Sequence, residues 1–299
     1  MKPQVLLLGN GLNIHFQNDK NWKSLLTAIS RRPDIDPERL TWPMPLRAIL
    51  LTNNHVDSAL KENREGLSGT RINEKYRDFL SQMRAIMFDE ILTTNYSYEL
   101  EADENGEIPD NKQLLKMLRH TDAVKRAENR YLLHTYNQIK STDGISRVWH
   151  IHGEARKPES IIIGHYWYAN YLTKMKSILD KKYSEEDIFT TVQPSWADSF
   201  VLGDVYILAF GFDQSEMDLW WLINRKQREK AETGKTYWFE PRVMNDPTAV
   251  DEKRELLRCL GVQCEDLGFI GTSYDDIDFD AFYSTALETI KNMVAANRK

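Results

Sequence analysis

Short apolar runs alternate along this chain with longer segments of helical spacing. Residues 5–8 are all apolar and lead directly into Gly9-Asn10-Gly11. A short apolar run that ends at small residues predicts a buried strand and a tight turn, and the apolar spacing behind the turn predicts a helix. By the same criteria, further strands are expected at 88–93, 147–151, 160–163, 204–210, 236–239 and 261–264.

Segments of helical spacing fill the intervals between these strands. They cover residues 21–30, 46–60, 72–87, 112–139, 166–182, 216–230, 250–260 and 278–296. Strands that alternate with helices predict the α/β class, with a mostly parallel sheet covered by helices on both faces. We expect helical insertions into this framework at about 21–87, 99–145 and 165–200.

The carboxyl ends of the strongest predicted strands carry small or polar residues. The ends of this kind are Gly9-Asn10-Gly11, Thr93-Thr94-Asn95, His152-Gly153-Glu154 and Gly211-Phe212-Asp213. In open α/β sheets the ligand lies in a crevice at this edge, beside the point where the strand order reverses. These ends are therefore predicted to converge on one crevice, and the glycine turn before the first helix is a candidate phosphate site.

Asn95 and His152 are the side chains in this crevice best suited to catalysis. A histidine can act as a general base near neutral pH, and an asparagine can orient a water or a sugar hydroxyl without titrating. Together they suit the departure of a good leaving group from an activated sugar. Each also has a structural interpretation, since an asparagine after a strand often caps a turn or helix. We expect His150 and His152 on opposite sides of the sheet, with one of them structural.

Composition narrows the choice of partner. The chain of 299 residues is 41% hydrophobic and 28% charged, with a net charge of −6 and no dominant basic stretch. The charge therefore gives no support for nucleic acid as the main partner. Cys259 and Cys264 are too few for a disulfide framework or a zinc site, and no metal is expected. No apolar run approaches a membrane span and no leader pattern is present, so we expect a cytoplasmic protein without a membrane partner.

Several motifs, in this order and spacing, resemble those of the bacterial sirtuin-like NAD-hydrolase family, which includes effectors of anti-phage defence. The pattern is also similar to that of AbiH-type abortive-infection proteins. The motifs are Gly9-Asn10-Gly11-Leu12-Asn13, Thr93-Thr94-Asn95-Tyr96, His150-Ile151-His152-Gly153, residues 161–164, and Gly211-Phe212-Asp213 with Asp218. The resemblance covers about residues 5–223, and it implies a single Rossmann-like domain over 1–299 that takes NAD as its substrate.

The resemblance also implies roles for individual residues. In that family the first glycine turn holds the pyrophosphate, the residue matching Asn95 positions the nicotinamide ribose and the attacking water, and the residue matching His152 is the base. Asn95 and His152 are therefore expected to be catalytic. The NAD is expected to be bound by Gly9, Asn10, Gly11, Asn13, Thr94, Tyr96, Gly153, Gly211, Phe212, Asp213 and Asp218, without a metal.

The chain departs from protein-deacylating sirtuins, because it lacks their four-cysteine zinc module and has Thr94 where they have glutamine. Glycohydrolysis to nicotinamide and ADP-ribose is therefore favoured over deacylation. Two other functions stay open. One is a sensor that binds NAD, ADP-ribose or a related nucleotide without chemistry, and the other is an abortive-infection toxin that acts on another nucleotide or on RNA. An NAD hydrolase would also need control by a homo-oligomer or a partner sensor protein.

Overall fold

A mixed, mostly parallel sheet forms the centre of the protein. The computed structural model describes residues 1–17, 22–67, 69–124, 126, 128–141, 144–182, 195–229, 232–244 and 251–298. In chain order, the strands are β1 (Gln4–Leu8), β2 (Glu90–Thr93), β3 (Leu118–His120), β4 (Thr135–Ser141), β5 (Gly144–His150), β6 (Asp204–Leu208), β7 (Thr236–Phe239), β8 (Arg242–Val243), β9 (Val262–Glu265) and β10 (Ile270–Gly271).

The large sheet has eight strands in the order β3-β4-β5-β2-β1-β6-β7-β9. The neighbouring strands β5, β2, β1, β6, β7 and β9 pair in parallel, whereas β4 runs antiparallel to both of its neighbours. β1 and β6 are buried at every residue, because a central parallel strand is covered on both faces and hence reads as a continuous apolar run. The strands β8 and β10 form a separate parallel pair.

Helices cover both faces of the large sheet. In chain order, the α-helices of the described residues are α1 (Gly11–Gln17), α2 (Trp22–Ile29), α3 (Met44–Leu51), α4 (Val56–Glu62), α5 (Glu74–Arg84), α6 (Asn111–Met117), α7 (His165–Lys182), α8 (Trp196–Leu202), α9 (Met217–Arg228), α10 (Glu252–Cys259) and α11 (Phe279–Asn297). One apolar cluster joins the sheet to α1, α5 and α11, and a second joins its other face to α7, α8, α9 and α10. The predicted Rossmann-like α/β fold is confirmed.

Side-chain caps set where several of these helices begin. Asn73 accepts a hydrogen bond from the backbone N–H of Tyr76 at the start of α5, and Ser195 does the same for Asp198 at the start of α8. Such caps satisfy N–H groups that have no partner within the helix. No helix within the described ranges is long and apolar enough to cross a membrane.

Two of the predicted elements are wrong. Residues 112–139 were expected to be helical, but only α6 is a helix there, and the segment also holds β3 and most of β4. The polar, alternating sequence of β4 is typical of a strand near the edge of a sheet. Residues 160–163 do not form a strand. Their isoleucines alternate between two apolar clusters, with Ile162 in one and Ile161 and Ile163 in the other, and this burial accounts for the apolar run.

The predicted insertions are only partly helical. The described elements between β1 and β2 are helices, but residues 46–60 break into α3 and α4. The 99–145 interval contains strands, as stated above, and residues 183–194 of the 165–200 interval lie outside the described part of the chain. Within the described residues both cysteines are free thiols, and Cys264 lies in β9.

Candidate functional site

A cavity lies at the carboxyl edge of the sheet, where the strand order reverses. β1 lies between β2 and β6. The strands β2 to β5 that follow β1 are added on the β2 side of it, and β7 and β9, which follow β6, are added on the opposite side. Such a switch point is where open α/β sheets bind their ligands. The cavity has a volume of about 850 Å³, near the top of the range of roughly 300–1,000 Å³ for small-molecule sites. It is therefore large enough for an extended dinucleotide.

Three strand ends form the floor of this cavity. We define the cavity floor as Asn10, Gly11, residues 94–96 and residues 209–213. Its walls come from α2, the 3₁₀ turn Tyr274–Asp276 and the start of α11. The predicted convergence of β1, β2 and β6 is thus present. The end of β5 does not reach the cavity, because β2 lies between β5 and β1.

The glycines of the first turn allow β1 and β6 to approach each other closely. A Cβ atom on Gly9 would lie 2.3 Å from the carbonyl oxygen of Ala209, and one on Gly11 would lie 2.9 Å from it. The N–H of Gly11 donates to that same oxygen at 3.0 Å. Gly9 is therefore required by packing against β6 and lies beneath the cavity, whereas Gly11 lines it.

Asn95 presents an unsatisfied amide oxygen at the cavity floor. Its backbone is fixed, because its N–H donates to Thr93 Oγ1 at 3.1 Å and its carbonyl accepts from His150 Nδ1 at 2.8 Å. Asn95 is only 6% exposed, and its Oδ1 has no hydrogen-bond partner. A buried polar atom without a partner costs about 1–3 kcal/mol. Asn95 thus contributes to the cavity floor while its amide oxygen is an unused hydrogen-bond acceptor.

Among the residues that the structure describes, the titratable side chains lining the cavity are mainly acidic. The acids are Asp213, Glu216, Glu240 and Asp275, and the bases are His15 and Lys253. Burial raises the pKa of Glu240 to about 7, although Tyr274 donates a hydrogen bond to its carboxylate at 3.2 Å. Lys253 Nζ donates to the carbonyl of Gly211 at 2.6 Å. The described lining is therefore mainly acidic, with the ammonium group of Lys253 beside the end of β6.

His152 lies outside the cavity lining, buried between two carboxylates. Its Nε2 is 2.8 Å from Asp218 Oδ2, and its Nδ1 is 3.5 Å from Glu216 Oε2. Burial disfavours the imidazolium, but the attraction of Asp218 and Glu216 outweighs that effect and raises the pKa of His152 to about 9. At neutral pH the ring is therefore protonated at both nitrogens. Of these three residues only Glu216 lines the cavity.

His150 holds Asn95 in place. Its Nε2 is 3.0 Å from Glu101 Oε1, and its Nδ1 contacts the Asn95 carbonyl as described above. Burial opposes protonation, yet Glu101 raises the pKa of His150 to about 9. The rings of His150 and His152 have different partners, Tyr98 for the first and Tyr168 for the second, although residues two apart on one strand share a face. They diverge because β5 ends at His150 and the chain then turns.

The structure brings together eight of the predicted ligand contacts and catalytic residues at the cavity: Asn10, Gly11, Thr94, Asn95, Tyr96, Gly211, Phe212 and Asp213. It leaves Gly9, Asn13, His152, Gly153 and Asp218 outside the lining. Asn13 is buried and accepts a hydrogen bond from Tyr76 at 2.8 Å. Gly153 has φ +95°, and a Cβ there would lie 2.3 Å from the carbonyl oxygen of Ser160, so the loop requires glycine for packing.

Sequence reasoning missed Glu216, Glu240 and Lys253. Glu240 directly follows β7, so the rule that singled out the other strand ends also applies to it. Glu216 precedes α9 and was interpreted only as the first residue of a helix. Lys253 carries no local signal, because its position depends on how α10 packs. His152, Glu216 and Asp218 are also the described residues whose spacing could hold a metal ion.

The comparisons with known proteins add no relative. No family model matches the chain, and no curated protein matches it. The likeness to sirtuin-like NAD hydrolases therefore depends on the short motifs, and the geometry of the cavity has to carry the functional argument.

Proposed function

We propose that this protein hydrolyses NAD to nicotinamide and ADP-ribose. The observation that carries the proposal is the unpartnered, buried Oδ1 of Asn95 on the floor of a dinucleotide-sized cavity at the switch point. An amide oxygen there can accept a hydrogen bond from a ribose hydroxyl or from the attacking water without changing its own charge. The motif resemblance assigns the same role to this residue.

The charge around the cavity supports cleavage of this bond. Loss of nicotinamide from NAD leaves positive charge on the ribose, in a transition state of oxocarbenium character. Carboxylates near the reacting carbon stabilise such charge electrostatically, most strongly where water is excluded. Glu216 and Asp213 supply these carboxylates beside Asn95, while Lys253 supplies positive charge at the cavity wall for the pyrophosphate.

Nicotinamide release from NAD by the purified protein tests the proposal directly. Nicotinamide is measured by chromatography. We expect turnover by the wild type and a loss of at least about 100-fold in kcat for Asn95→Ala. His152→Ala is expected to abolish turnover as well. The matched control is Asn105→Ala, an exposed turn residue whose backbone N–H contacts Asp103, and it should retain wild-type kcat.

A sensor is the second candidate, and one observation favours it. His152 faces a carboxylate oxygen at each ring nitrogen, so the histidine expected to be the base has no free lone pair. A sensor would bind NAD or ADP-ribose and release no nicotinamide. Wild-type protein that binds ADP-ribose calorimetrically but leaves NAD intact would establish this second function and overturn the first. The acidic lining gives no support for RNA as the ligand.

A further inference from the structure

The acid–base group that meets a ligand in this cavity is not the histidine. His152 is 1% exposed and does not line the cavity, and each of its nitrogens faces a carboxylate. An imidazole that donates at both nitrogens is already protonated and has no lone pair with which to accept another proton. A general base must lie within hydrogen-bond reach of the proton that it removes. His152 meets neither requirement.

Glu216 meets both. It lines the cavity beside Asn95, and its side chain is 8% exposed. Its contacts fall on one oxygen, since Oε2 accepts from the Tyr168 hydroxyl at 3.2 Å and faces His152 Nδ1. This arrangement leaves Oε1 for a ligand. The imidazolium behind it anchors the carboxylate, and Asp218 in turn anchors the imidazolium.

Burial raises the pKa of Glu216, while the charge of His152 acts in the opposite direction. The titratable groups that face it, from every element packed against it, are Tyr96, His152, Tyr168, Asp213 and Asp218.

We propose that Glu216 is the general base of the reaction, held in place by a His152–Asp218 pair that acts as its positioning group. This proposal rests on the proposed NAD hydrolysis. The oxygen of water forms a bond to C1′ of the nicotinamide ribose, and the C1′–N bond breaks with its electron pair passing to the nicotinamide ring. Nicotinamide leaves neutral, and the proton of the water passes to Glu216 and then to solvent. The products are nicotinamide, ADP-ribose and one proton.

The test compares Glu216→Gln, Glu216→Asp and the control Glu159→Gln, which changes an exposed glutamate of the 3₁₀ turn Pro158–Ser160. For each protein, kcat and KM for nicotinamide release are measured between pH 5.5 and 9, and the Kd for ADP-ribose is measured by calorimetry. Glutamine keeps the shape of glutamate and can still accept from Tyr168, so the fold and the cavity are retained.

We expect kcat of Glu216→Gln to fall by at least about 100-fold, with a Kd for ADP-ribose close to that of the wild type. Wild-type kcat should rise with pH on its acidic limb, because the base acts only when it has lost its proton. Glu216→Asp should recover part of the activity with a displaced acidic limb, and Glu159→Gln should match the wild type throughout.

Three results would overturn the assignment. If the wild type is active and Glu216→Gln keeps kcat and the same acidic limb, Glu216 is not the base and only this inference falls. If dialysis against EDTA abolishes wild-type activity and Mn²⁺ or Zn²⁺ restores it, then His152, Glu216 and Asp218 hold a metal instead. If the wild type binds ADP-ribose and releases no nicotinamide, this inference and the proposed function fall together.

Discussion

Replacing Asp218 with asparagine should destabilise the protein in a way that depends on pH. Asp218 is fully buried at the start of α9 and lies 2.8 Å from His152 Nε2. Asparagine has the same shape and can accept the hydrogen bond from Nε2–H, but it removes the negative charge. The variant therefore isolates the electrostatic part of the interaction.

The magnitude follows from the pKa of His152, which the fold raises from 6.5 to about 9. This difference corresponds to about 3 kcal/mol of stabilisation of the folded state. Because the folded pKa exceeds the unfolded one, the stabilisation is complete below pH 6.5 and is lost as the pH rises through 9. Glu216 shares in raising this pKa, so Asp218→Asn should cost at most about 3 kcal/mol near pH 6. The cost should be much smaller near pH 10, where the imidazole is neutral and asparagine keeps the hydrogen bond.

Urea unfolding followed by tryptophan fluorescence measures this difference between pH 6 and pH 10. The matched control is Asp34→Asn, which removes an exposed carboxylate paired with Arg32, and it should show no such narrowing with pH. Asp218 also repels Glu216 once Glu216 is ionised. Asp218→Asn removes this repulsion at high pH, which further reduces the cost of the substitution there. A destabilisation by Asp218→Asn that is equal at pH 6 and pH 10 would refute the buried ion-pair interpretation.

Three further predictions concern the cavity floor and two buried charges. Gly9→Ala should cost about 3 kcal/mol in chemical unfolding, because its Cβ would overlap the Ala209 carbonyl and well-packed backbone has no room to yield. Burial raises the pKa of Glu90 to about 7. Because the pKa is higher in the folded state than in the unfolded state, the wild type loses stability as the pH rises. The unfolding free energy of Glu90→Gln should therefore increase relative to that of the wild type between pH 5 and 8. Burial lowers the pKa of Lys226 to about 7, so the wild type gains stability as the pH rises from 7 to 10.5. The unfolding free energy of Lys226→Met should therefore fall relative to that of the wild type over this range.

Each of these predictions has its own control or contrary outcome. Gly211→Ala is the control for Gly9→Ala, because nothing lies within 4 Å of a Cβ at Gly211; equal losses from the two variants would contradict the packing argument. For Glu90→Gln, a constant difference from the wild type over that pH range would show that Glu90 is ionised throughout. For Lys226→Met, an advantage that grows with pH would reverse the assigned sign.

The apolar strands are predicted from the sequence, whereas β3, β4 and the two-residue strands β8 and β10 are missed. Residues 5–8 and 204–208 are continuous apolar runs, since both of their faces are covered by helices. β4 is mostly polar, because one of its neighbours is the short edge strand β3, and its sequence therefore resembles that of a polar helix. The apolar run at 160–163 was misassigned, since extended chain between two cores has the same composition as a strand.

The site was predictable to the extent that it depends on strand ends. Asn95 and Gly211 follow directly from the convergence of parallel strands, and the same reasoning extends to Glu240. The role of His152 could not be derived in this way, because the turn after β5 carries it behind Glu216 and away from the cavity. Which side chain stands in front depends on packing at the start of α9, and no local pattern encodes that.

The contact between Gly9 and Ala209 has a consequence for altering ligand preference. Two main chains that are pressed together cannot be separated by exchanging side chains, so the width between β1 and β6 is a fixed dimension of the protein. Redesign for a larger or smaller ligand must therefore act on α2 and on the start of α11, where Leu25 and Phe279 line the cavity.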